Sequence, residues 1–71
     1  MLKLNDHVRL LTAYRGIHPR TDHEVLLPGG AVGTVIEARN PETVIVEFLA
    51  TDGDIFAWAS VNACKILRGR G

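Results

Sequence analysis

Residues 28–48, P-G-G-A-V-G-T-V-I-E-A-R-N-P-E-T-V-I-V-E-F, constrain the fold more than any other stretch of this chain. Gly29 and Gly30 open a turn, because glycine reaches backbone conformations that cost other residues energy. Two β-rich runs follow, 31–38 and 43–49, separated by the polar turn Arg39-Asn40-Pro41-Glu42, and this spacing predicts one antiparallel hairpin. Gly33, inside the first run, signals a bend, a bulge or a close backbone approach. In the second run Val44, Val46 and Phe48 share one parity, and Thr43, Ile45, Glu47 and Leu49 the other. Successive strand side chains point to opposite faces, so the first set is assigned to the core and the second to the outer side.

The flanks are read against that hairpin. Residues 6–12, D-H-V-R-L-L-T, alternate as an opening strand with Val8 and Leu10 inward, and Leu2 and Leu4 share their parity. Residues 13–30 carry turn formers at Gly16, Pro19 and Asp22 and no sustained period, so they read as a long connection. Within it, E-V-L-L at 24–27 is placed to pack Val25 and Leu27 back on the sheet. Thr51-Asp52-Gly53-Asp54 is the strongest turn signal and leads into I-F-A-W-A-S at 55–60. There Phe56 and Trp58 face one way, Ile55, Ala57 and Ala59 the other, and neither side is polar. A strand with two apolar faces needs cover on both. Residues 61–63 are expected to form a short helical turn, 64–67, C-K-I-L, a closing strand, and 68–71 a frayed tail.

The expected architecture is therefore a single all-β domain over 1–71: a small five-stranded barrel with a long first loop and a short helical turn before the last strand. The order of V-R-L, G-A-V-G-T-V-I-E, V-I-V-E-F, D-G-D-I-F-A and C-K-I-L resembles the SH3-like barrels. More closely, residues 30–67 resemble a family of short bacterial and cyanobacterial proteins known as a domain of unknown function, with G-x-V-G-T-V, V-E-F and D-G-x-x-x-A elements. The chain departs from that family in the longer segment 14–27 and in the bulky Trp58. The resemblance implies docking rather than catalysis.

Composition narrows the chemistry. Eight Lys and Arg balance eight Asp and Glu, so no overall charge draws the chain to phosphate backbones or anionic lipid. The single cysteine, Cys64, excludes an internal disulfide and a cysteine zinc cluster, and it reads as a small buried filler. His18, Asp22 and His23, with His7 further back, have no defined ligand spacing around Pro19, and no metal is assigned. Ser60 and Thr34 have no base placed by a motif, and the glycines match no phosphate or dinucleotide loop, so no catalytic residue and no cofactor is assigned. The first residues lack an export signal and no window is apolar enough to span a membrane, which makes the cytoplasm the expected compartment.

A domain this small buries only about 60 % of its unfolded surface, so self-association is an accessible source of further burial. Ile45, Leu49, Phe56 and Trp58 are the candidate partner-binding residues, as one apolar patch on the outer side of the third and fourth expected strands. The competing reading is that the long connection folds over them. The expected function is a non-catalytic protein-interaction module, a homo-oligomer or a small accessory subunit. One alternative is a nucleic-acid or ribosome-associated module similar to KOW domains, using Lys3, Arg9, Arg15, Arg20, Lys65 and Arg68. Another is a small partner or antidote of a neighbouring protein.

Overall fold

The protein's structure, a computed structural model, describes residues 2–49 and 55–68, and of Arg39, Ile55 and Arg68 the backbone alone. The strands are β1 (His7–Leu10), β2 (Tyr14–Ile17), β3 (Glu24–Leu27), β4 (Val32–Asn40), β5 (Thr43–Leu49), β6 (Ile55–Asn62) and β7 (Ile66–Arg68). All lie in one sheet of order β3-β2-β6-β5-β4-β1-β7, and neighbouring strands run antiparallel. Leu27 of β3 and Ile66 of β7 stand at opposite ends of that order, yet both belong to one buried cluster with Val8, Leu10, Val35, Val44, Val46 and Phe48. A flat sheet could not bring them together. The sheet is curled into a half-barrel with the core on its concave side.

Bulges supply part of the curl. Val35 pairs with Val46 but Glu37 pairs with Ile45, which leaves Ile36 as an extra residue in β4. Likewise Phe48 pairs with Ala57 and Leu49 with Ile55, so Phe56 is the extra residue of β6. Each insertion bends its strand and increases the local right-handed twist. At the β4–β5 turn, the Asn40 side-chain oxygen accepts hydrogen bonds from the backbone N–H groups of Glu42 and Thr43, both 2.9 Å. Asn40→Ala removes both hydrogen bonds and is expected to lower stability by about 1 kcal/mol, read as a shifted urea midpoint with unchanged slope.

The hairpin expected over 31–49 is present, with Val44, Val46 and Phe48 buried as assigned. Four expectations are corrected. There are seven strands rather than five, because the long connection is itself the hairpin β2–β3, joined to the rest by the pairing of Ile17 with Trp58. Gly16 is a close-approach residue there, not a turn former. A Cβ on it would lie 2.8 Å from the Trp58 carbonyl oxygen and 3.1 Å from Leu27 Cδ1. The helical turn is displaced to Ala63–Lys65, a single 3-10 turn, while Val61 and Asn62 prolong β6. The Asn62 side-chain oxygen caps that turn by accepting from the Cys64 N–H at 3.0 Å. Cys64 is consequently exposed, not a buried filler. The expected turn at 51–54 and the tail at 69–71 lie outside the described residues.

Candidate docking face

The convex side of the sheet is organised in rows that cross the strands. The central row runs Glu24, Ile17, Trp58, Glu47, Thr34, His7, each residue directly opposite the next, from β3 to β1. One step along the strands lies Ser60–Ile45–Glu37. Arg15 and Leu26, opposite one another, stand at the level of that second row, since Arg15 precedes Ile17 by two residues as Ser60 follows Trp58 by two. Phe56 and Leu49 mark the other end.

Exposure follows the pleat. In β6 the inward residues Ala57, Ala59 and Val61 are buried, while Phe56 and Trp58 keep 39 % and 43 % of their surface in solvent. Ile17 at 50 %, Leu49 at 52 % and Leu26 at 70 % continue the apolar surface, and Ile45 is half-buried between its neighbours. The β2–β3 hairpin does not cover this patch. It lies beside β6 in the sheet and adds Ile17 and Leu26 to the same face. Small inward alanines explain the arrangement: β6 can approach the core closely only if its large aromatic rings point away from it.

Polar groups punctuate the patch. Glu47 is half-buried between Trp58 and Thr34, and the Thr34 hydroxyl lies 3.5 Å from His7 Nδ1. Arg15 and Glu24 approach to 3.7 Å in an exposed pair worth little in water.

The basic residues of the alternative reading are divided by the fold. β1 and β7 are neighbours, which puts Arg9, opposite Leu67, near the backbone of Arg68, and the Leu11 N–H donates to the Lys65 carbonyl at 2.8 Å. Lys3 precedes β1, whereas Arg15 and Arg20 belong to the β2–β3 hairpin, with β6, β5 and β4 in between. The histidine cluster closes the β2–β3 turn: the His18 N–H donates to the His23 carbonyl at 2.9 Å, and the Arg20 N–H donates to His18 Nδ1 at 3.2 Å. Among the described residues no three His, Cys, Asp or Glu side chains converge to hold a metal ion, and no helix is long and apolar enough to cross a membrane.

The residue pattern points to Phe56, Trp58, Ile45 and Leu49 but not to Ile17 or Leu26. The available signal was the period-2 alternation within Y-R-G-I and E-V-L-L, each only four residues long. Family models, curated proteins and solved structures were all compared with the chain, and none matches it.

Proposed function

We propose that this chain is a non-catalytic docking module whose working surface is the convex face of β5 and β6, extended by Ile17 of β2, and that it engages another polypeptide there. The observation that carries the reading is the outward placement of Phe56 and Trp58 beside Ile17 and Leu49, with Ile45 half-buried among them. Aromatic residues in a contiguous apolar patch, rimmed by charge, have the composition of an interface centre. On the same reading the half-barrel is an elaborated relative of the SH3-like barrels, with β2–β3 as the added hairpin. Its site of action is the cytoplasm.

The test is hydrodynamic mass and Trp58 emission across concentrations from micromolar to several hundred micromolar. Association with a blue-shifted Trp58 spectrum is expected, and Phe56→Ser is expected to weaken it while leaving the unfolding midpoint nearly unchanged. A strict monomer with invariant emission, which also retains no protein when used as bait, overturns the reading.

The pairing of β1 with β7 favours one second reading, a nucleic-acid contact along the edge carrying Arg9 and Lys65. The zero net charge argues against it. No retention of RNA is expected even at about 50 mM salt, and retention that falls steeply as salt rises would favour this second reading.

A further inference from the structure

We propose that the occupant of the convex face is a second copy of this chain, related by a two-fold axis parallel to β5 and β6 and passing between them. This rests on the docking reading above and adds the identity and geometry of the partner.

Two copies packed face to face as an isologous pair need a two-fold axis lying in the plane of contact. The cross-strand rows decide which one. An axis parallel to the strands reverses each row: Trp58 then meets the second copy's Glu47, Ser60 meets its Ile45, Arg15 meets its Glu37, and the bulge residue Phe56 comes near the level of its Leu49. An axis along the central row lays each residue of that row on itself and brings Glu47 to Glu47. Like charges buried against each other repel strongly, so the first axis is selected.

Glu47 fixes the centre of the contact. It is already half-buried, and closing a second sheet over it without a donor would leave a charged acceptor unsatisfied. The indole N–H of Trp58 is a donor with no acceptor role, and the reversed row sets it against that carboxylate twice per dimer. Apolar contact from Phe56 and Leu49 lies at one end of this pair, and the Arg15–Glu37 contacts lie on its flanks. The curl of the sheet limits the extent. Because the faces are convex, Glu24 and His7 at the ends of the central row diverge, and contact is confined to the β5–β6 ridge and one strand on each side. So confined a contact is expected to bury less than the roughly 800 Å² per partner of a standard complex.

The experiment is sedimentation equilibrium of the full chain at about 150 mM salt, on the wild type, Arg15→Glu, Glu37→Arg, an equimolar mixture of these two, and Trp58→Ser, with circular dichroism to verify folding. Each charge variant sets like charges together at two symmetric places, so each is expected to weaken dimerisation about tenfold. Their mixture forms a heterodimer in which, at one place, the carboxylate introduced at position 15 of one copy meets the guanidinium introduced at position 37 of the other. The second place keeps its wild-type pair, so the mixture is expected to restore wild-type affinity. Loss of the dimer in Trp58→Ser is also expected. A dimer lost in Trp58→Ser, with the charge variants no weaker than wild type or the mixture no stronger than either, overturns this geometry and leaves the docking face standing. A dimer that survives Trp58→Ser overturns both. A monomeric wild type overturns the second copy as occupant, and the bait experiment above then decides the docking reading separately.

Discussion

Leu27→Ala is expected to lower the unfolding free energy by roughly 2–5 kcal/mol, whereas Leu26→Ser, one residue earlier on the same strand, is expected to change it by less than about 0.5 kcal/mol. Leu27 keeps 1 % of its surface in solvent and belongs to the main core cluster. Its Cδ1 lies directly under Gly16, so truncation opens a cavity between the β2–β3 hairpin and the rest of the half-barrel. A chain of this length has a total stability of about 4–10 kcal/mol on the usual per-residue scale, so the loss approaches a large part of the whole. Denaturant unfolding of both variants checks the prediction. Equal, small effects at the two positions would mean that β3 is not part of the cooperative core.

The second large effect is at Gly33, where Gly33→Ala is expected to cost about 3 kcal/mol, the upper end of what overpacking a close-packed core costs. An added Cβ would stand 2.6 Å from Val46 Cγ1, 2.7 Å from the Glu47 carbonyl oxygen and 2.9 Å from Phe48 Cδ2. The two side-chain atoms belong to buried residues, and the oxygen is backbone of β5, the strand that pairs with β4 here, so nothing nearby can give way cheaply. Gly29→Ala is the comparison: its nearest neighbour lies at 3.4 Å, and a change within about 0.5 kcal/mol is expected. Thermal or urea midpoints of the two variants separate close approach from a general dislike of losing glycine. If Gly33→Ala unfolds at the wild-type midpoint, β4 and β5 do not approach as closely as described.

These two positions also mark how far the residues alone could be read. The glycine turn, the β-branched run 43–49 and the inward set Val44, Val46 and Phe48 were legible because a seven-residue strand repeats its period often enough to show it. The outward set is legible for the same reason, and Phe56 and Trp58 stand out because both faces of 55–60 are apolar. The bend, bulge or close approach at Gly33 stayed open, since only neighbouring strands decide among them, and the neighbours here are Val46, Glu47 and Phe48.

Residue pattern alone yields an all-β chain built on one hairpin, a core parity, and an excess of apolar strand surface with no motif for catalysis or metal. It takes the folded chain to show that 14–27 is a hairpin continuing the sheet, that its Ile17 stands opposite Trp58, that Cys64 is exposed, and that the basic residues are split between two regions of the fold. The division follows from the range of the interactions. Parity and turn preference act between residues close in sequence, while the pairing of β2 with β6 joins residues about forty apart, and a four-residue strand has too little local preference to announce such a partner.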